Sequence, residues 1–78
     1  LAVNFENWTR AVERCIENAG PRIPAHVDKR ALAEFVLTSM EGGVMQARTY
    51  RDVSYFDRTV KQLRDHFALL EQAAKQAA

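Results

Sequence analysis

Six apolar residues near the end of the sequence recur at alternating intervals of four and three. They are Phe56, Val60, Leu63, Phe67, Leu70 and Ala74. This heptad spacing puts all six along one side of an α-helix. It is typical of helices that cross a neighbour at a shallow angle, as in a bundle or a coiled coil. The chain is therefore expected to fold by packing helices against one another.

A first helix is predicted near the start of the sequence. Apolar side chains recur every three or four residues from Phe5 to Ala19, which places them on one helical face. Gly20 can take the positive φ of a helix C-cap, and Pro21 prevents the helix from continuing. Residues 20–27 then read as a stiff linker with two prolines.

Two longer helices follow the linker. Asp28 is a suitable N-cap for the second helix, which should run to about Thr49. Asp52 or Ser54 should begin the third, which continues to about Lys75. No segment shows the alternating pattern of a β-strand. The predicted class is all-α, with three helices.

The second helix is apolar over more than half of its circumference, so more than one layer is expected to bury it. It also contains Gly42 and Gly43, and each Gly costs about 0.5–1 kcal/mol relative to Ala inside a helix. Such a cost suggests that a partner helix or a ligand approaches the backbone closely. The alternative is a break between two short helices, which the continuing apolar pattern through Val44 disfavours. A second chain would supply the missing layer.

Charge and composition exclude several classes of protein. Eleven Lys and Arg against ten Asp and Glu give a net charge of +1, which offers no basic stripe for nucleic acid. The lone Cys15 excludes an internal disulfide, fits a cytoplasmic protein and is expected to be a buried, inert thiol. There is no phosphate loop, nucleophile–base pair or metal-ligand cluster. We therefore expect no enzymatic activity, no cofactor, no metal and no membrane span.

The stretch from Ile16 to the end resembles the C-terminal region of TetR-family transcriptional regulators. The residues that carry this resemblance are Ala19-Gly20, Pro24, Asp28, Leu32-Ala33, Glu41-Gly42-Gly43, Ala47-Arg48 and Asp52. It covers roughly residues 8–70 and is a diffuse pattern. The sequence opens on Leu1 with the helical pattern already running by Phe5, so we expect residues 1–78 to be the C-terminal ligand-sensing and dimerisation region of a longer protein.

The resemblance implies a homodimer whose last two helices form a four-helix bundle with their copies, and a pocket for an unknown small-molecule effector. It also implies that DNA binding resides in an N-terminal helix-turn-helix domain that this sequence lacks. The candidate dimer-interface residues are Val36, Gly43, Ala47, Val60, Leu63, Phe67 and Leu70. The candidate ligand-binding residues are Phe5, Trp8, Val12 and Met40, although aromatic and Met side chains at helical spacing more often form core.

Two functional hypotheses follow. The first is the dimerisation and effector-sensing part of a TetR-like repressor, in which ligand and DNA favour different conformations and are reciprocally coupled. The second is a free-standing helical module that binds an amphipathic partner helix in a groove.

Overall fold

The computed structural model describes residues 2–77, which form three α-helices and one short 3₁₀ turn. Helix α1 spans Ala2–Asn18, the 3₁₀ turn Gly20–Arg22, α2 Lys29–Tyr50 and α3 Ser54–Ala77. No strand occurs in this part of the chain. The predicted all-α class with three helices is therefore confirmed.

The residues that begin and end the helices are largely those predicted from the sequence. Gly20 has a φ of 58° and turns the chain after α1, a conformation that costs little without a Cβ. The Asp28 carboxylate accepts a hydrogen bond from the backbone N–H of Ala31 at 3.0 Å and so caps α2. At the start of α3, the Asp52 Oδ1 accepts from the backbone N–H of Ser54 at 2.9 Å. Hydrogen bonds from Ser54 lower the pKa of Asp52, because they favour its charged form.

Helix α2 ends at a residue that the sequence did not mark as a turn. Arg51 adopts the left-handed conformation, with φ 52° and ψ 46°, although Gly or Asn usually occupies this position. The following N–H, of Asp52, donates to the carbonyl of Ala47 at 2.9 Å. This bond satisfies a carbonyl that the last turn of the helix would leave unpaired.

Helix α2 runs without interruption through its two glycines, so the alternative of a break there is wrong. Gly43 is buried against α3 of the same chain. A Cβ added to it would lie 3.1 Å from the Oγ1 of Thr59 and 3.5 Å from the Cα of Phe56. The close approach inferred from the sequence therefore exists at Gly43, and its partner is the next helix of the same chain. A Cβ at Gly42 would meet no atom within 4 Å.

Helix α2 lies between the other two and packs against both, whereas α3 meets the α1 end of the molecule mainly through the 3₁₀ turn. The core is correspondingly small. Four buried residues form it, namely Ile16, Ile23, Leu32 and Ala33, and Phe67 and Leu70 of α3 pack against its edge. Three helices arranged in this way leave both sides of α2 accessible.

The exposed surface is large for a chain of this mass. It amounts to 5897 Å², whereas a compact monomer of 8.9 kDa would expose about 4,800 Å². The radius of gyration is 13.9 Å, against about 11.5 Å expected for a compact domain of this length. The difference in area, about 1,100 Å², exceeds the roughly 800 Å² that each partner buries in an ordinary stable interface.

Three residues on the apolar side of α1 are exposed. Phe5 and Trp8 are 42% and 49% exposed and touch each other edge to face, with ring centroids 5.8 Å apart. Cys15 is also exposed, so the prediction of a buried thiol is wrong. The physical reason is shared: the apolar side of α1 is wider than the strip that α2 covers.

Candidate functional site

An apolar cleft lies where α2 turns into α3. Its apolar lining consists of Val44, Ala47, Val53 and Phe56, and Arg48, Arg51 and Asp52 stand at its rim. The cleft has a volume of about 370 Å³, and the side chain of Val53 is 67% exposed. An accessible apolar surface bordered by charges is the usual composition of a surface that a partner covers.

A second, more polar groove runs between α2 and α3. We call it the α2–α3 groove; it has a volume of about 560 Å³ and a floor formed by Gly42 and Gly43. Its walls are lined by Phe35, Thr38, Ser39, Gln46, Tyr55, Arg58, Thr59, Gln62, Leu63 and His66. Since Val44 follows Gly42 by two residues, or about 200° around the helix, this groove and the apolar cleft lie on opposite sides of α2.

Aromatic and cationic groups are ordered along the α2–α3 groove. The rings of Phe35 and His66 meet at an angle of 65°, with centroids 5.5 Å apart. The guanidinium of Arg58 lies 4.8 Å from the centre of the Tyr55 ring and donates a hydrogen bond to the Ser54 Oγ at 3.0 Å. Tyr55 in turn stacks on Tyr50 at 4.7 Å. These contacts hold Arg58 in place at the groove wall.

A third groove, the α1–α2 groove, adjoins the second and shares Thr38 and Gly42 with it. It encloses about 480 Å³ and is lined by Phe5, Leu37 and Met45 together with the carboxylates of Glu34 and Glu41. The two grooves thus form one continuous surface with opposite charges at its two ends. Gly42 lies at the junction.

Ion pairs fix α1 against α2 beside this surface. Arg30 of α2 donates to both carboxylate oxygens of Glu6, at 2.7 and 2.8 Å, and lies 3.8 Å from Glu13. It also donates to Glu34 on its own helix at 3.2 Å. The hydrogen bond from Arg30 lowers the pKa of Glu6, and the bond to Glu6 is the largest cause that raises the pKa of Arg30. Both groups are therefore charged at neutral pH.

The structure does not bring the four predicted ligand-binding residues together. Phe5 lines the α1–α2 groove, and Trp8 contacts Phe5 from outside that groove. Val12 lines a separate cleft with Val36 and Phe67. Met40 is partly buried on α2 outside both grooves. Their role in ligand binding stays a prediction, and only Phe5 lines the surface described above.

The seven predicted interface residues fall into two groups. Gly43 packs against α3, Phe67 and Leu70 pack against the core, and Leu63 is buried within the chain. Val36, Ala47 and Val60 are only partly buried, and Ala47 lines the apolar cleft. The heptad side of α3 is therefore used first for packing inside the chain. Contact with a partner stays a prediction for all seven.

Sequence reasoning missed the polar wall of the α2–α3 groove. Tyr55, Arg58 and Gln62 are spaced three and four residues apart, so they share one side of α3. That spacing is present in the sequence, but the apolar heptad beside it is the stronger signal for helix packing. The contribution of Phe35 and Gln46 required the relative position of the two helices.

Comparison with known families gives the chain its classification. The model of a family described as "Tetracyclin repressor-like, C-terminal domain" matches residues 1–63. The chain belongs to this family. The match covers α1, α2 and the first ten residues of α3, and it agrees with the resemblance found in the sequence. No curated protein and no solved structure matches the chain significantly.

Within residues 2–77, no cluster of three or more His, Cys, Asp and Glu side chains is positioned to hold a metal ion. No helix in the described residues is both long enough and apolar enough to span a membrane. The apolar cleft and the two grooves on the opposite side of α2 are accessible to a partner or a ligand.

Proposed function

We propose that this chain is the dimerisation and effector-sensing part of a TetR-like transcriptional repressor, in which it acts as a regulatory rather than a catalytic unit. Membership of the family supports the regulatory role. DNA binding belongs to a helix-turn-helix domain that would accompany this chain in a longer, cytoplasmic protein. The chain's own contribution is to pair two copies and to respond to a small molecule.

The observation that carries dimerisation is the excess of exposed surface, which includes an open cleft lined by apolar residues. Val53 is 67% exposed and lies beside Val44, Ala47 and Phe56. Together with the partly buried Val36 and Val60, they form an apolar face of α2 and α3. In the proposed dimer this face packs on the same face of a second copy, related by two-fold symmetry. Helices α2 and α3 of the two copies then form a four-helix bundle that buries the apolar face.

Effector sensing is assigned to the opposite side of α2, where the two grooves adjoin. A molecule bound there contacts α1 and α2 or α2 and α3 simultaneously. It would therefore favour one relative position of the helices over another, which is what coupling to a DNA-binding domain requires.

Sedimentation equilibrium of the 78-residue chain at micromolar concentration tests the dimer, and a matched pair of variants tests the face. Val53 and Leu69 are both 67% exposed apolar residues, but only Val53 lines the apolar cleft. Val53→Glu should weaken association at least tenfold, because it would place a charged carboxylate in the apolar interface, while the helical content stays unchanged. Leu69→Glu should leave association intact. A folded monomer in the unmodified chain, or equal effects of the two substitutions, would refute the proposed interface.

A further inference from the structure

Packing within the chain accounts for one of the two glycines of α2 but not for the other. Gly makes a helix less stable than Ala does, and at Gly43 the close contact with Thr59 and Phe56 accounts for its presence. At Gly42 no atom of the chain lies within 4 Å of where a Cβ would be. Packing inside the chain therefore does not require Gly42. Its bare backbone forms part of the floor of both grooves, where a molecule from outside can approach it.

The charges along these grooves distinguish between possible ligands. Arg58 is the permanently charged side chain of the α2–α3 groove, and no carboxylate is found among its lining residues. Among residues 2–77, its five guanidinium N–H groups donate one hydrogen bond, to Ser54, and its charge also helps to lower the pKa of Asp52. Gln46, Gln62 and His66 add further hydrogen-bonding groups to the same walls. In the neighbouring α1–α2 groove the charge of Glu34 is compensated by Arg30, but the carboxylate of Glu41 repels an anion and so favours its placement at Arg58.

The shape and the aromatic lining indicate the rest of the ligand. A volume of about 560 Å³ is within the usual range for small-molecule sites. Phe35, which is 48% exposed, and Tyr55 supply ring surfaces within the same groove. From these observations we propose that the α2–α3 groove binds a small aromatic anion. Arg58 pairs with the anionic group, and the ring lies over Gly42 between the two helices. This inference rests on the proposed function and specifies the chemical class of the effector.

Benzoate is the probe, and benzamide and benzylamine are its neutral and cationic counterparts of similar size. Binding to the 78-residue chain is measured by the displacement of backbone amide resonances in NMR titrations. Benzoate should shift resonances of the α2–α3 groove, benzamide should bind more weakly, and benzylamine should not bind there. Arg58→Gln should weaken benzoate binding about tenfold, as expected for the loss of a charge-assisted hydrogen bond. Arg64→Gln is the matched control, because Arg64 is an exposed arginine of α3 outside the groove.

Gly42→Ala provides a second variant that should not disturb the fold, since its methyl group meets open space. It should weaken benzoate binding at least fivefold while the helical content is retained. Equal affinity for benzoate and benzylamine, unchanged binding in Arg58→Gln, or unchanged binding in Gly42→Ala would overturn the proposal. A chain that sediments as a dimer but does not bind benzoate would overturn this inference alone. A chain that binds benzoate at Arg58 but remains monomeric would support the site and refute the proposed dimer.

Discussion

The two junctions between helices are held together by different physical means. The junction of α1 with α2 combines the small core with exposed ion pairs, in which Arg30 binds Glu6 through two hydrogen bonds and approaches Glu13. The junction of α2 with α3 has no ion pair within residues 2–77. It depends on the fit of Gly43 against Thr59 and on the burial of Leu63.

Because of this difference, salt and acid should affect one junction more than the other. Exposed ion pairs are weakened by salt and by protonation of the carboxylate. The contact of Gly43 with Thr59 and the burial of Leu63 involve no titrating group and depend on shape instead, although the ring of His66 also meets Phe35 across this junction. Acid should therefore loosen α1 from α2 while α2 and α3 remain packed, and substitutions that change volume should do the reverse.

The largest expected effect is the loss of the α2–α3 junction in Leu63→Glu. Leu63 is 9% exposed and lines the α2–α3 groove, so a carboxylate there would be largely removed from water. Such a substitution costs several kcal/mol, a large part of the stability of a chain this small. We expect cooperative unfolding, measured by the loss of helical circular dichroism at 25 °C.

The control for Leu63→Glu is Leu69→Glu, which makes the same chemical change on α3 at a position that is 67% exposed. Its melting temperature should stay within a few degrees of that of the unmodified chain. If both variants unfold, the loss of stability reflects the introduced charge rather than the junction.

Much of this fold could be predicted because its signals are local. Asp28 and Gly20 specify the ends of helices through their own side chain or lack of one, and the structure confirms both. The heptad of α3 correctly marked Leu63 as buried. These features depend on a few neighbouring residues, so the sequence contains them in full.

The remainder depends on which helix covers which side. The apolar spacing of α1 predicted that Cys15 would be buried, but spacing gives only the direction of a side chain and not the width of the covering helix. Gly43 was correctly interpreted as a point of close approach, whereas its neighbour, Thr59 of the same chain, could not be identified without the relative position of α2 and α3. The α2–α3 groove was missed for the same reason.

An intermediate effect on stability is expected from Ala substitutions at Gly42 and Gly43. The two positions are adjacent in α2, but only Gly43 is packed against α3. Gly42→Ala should raise the free energy of unfolding by about 1 kcal/mol, because Ala has the better helix propensity and its methyl group meets no other atom. Gly43→Ala should show no such gain, since its Cβ would lie 3.1 Å from the Thr59 Oγ1 and 3.2 Å from its Cβ. Chemical denaturation of both variants measures the difference. Equal stabilisation would mean that α2 and α3 separate readily at this point.

The smallest expected effect is that of pH on the α1–α2 junction, tested by Glu6→Gln. Arg30 holds the pKa of Glu6 below its ordinary value of 4.5. A carboxyl whose pKa is lower in the folded state stabilises that state above the unfolded pKa, and this contribution is lost as the pH falls through the folded pKa. Glu6→Gln should therefore melt at a slightly lower temperature than the unmodified chain at pH 7, and the difference should shrink as the pH is reduced below 4.5.

The control for this series is Glu17→Gln, which changes an exposed carboxylate of the same helix that forms no ion pair among the described residues. Its melting temperature should follow that of the unmodified chain throughout the pH range. Because the Glu6 and Arg30 side chains are 34% and 40% exposed, solvent screens the pair, and the effect of Glu6→Gln should also diminish in high salt. A difference that persisted at low pH would show that the contribution of Glu6 does not depend on its charge, and the contrast between a charge-dependent and a shape-dependent junction would then disappear.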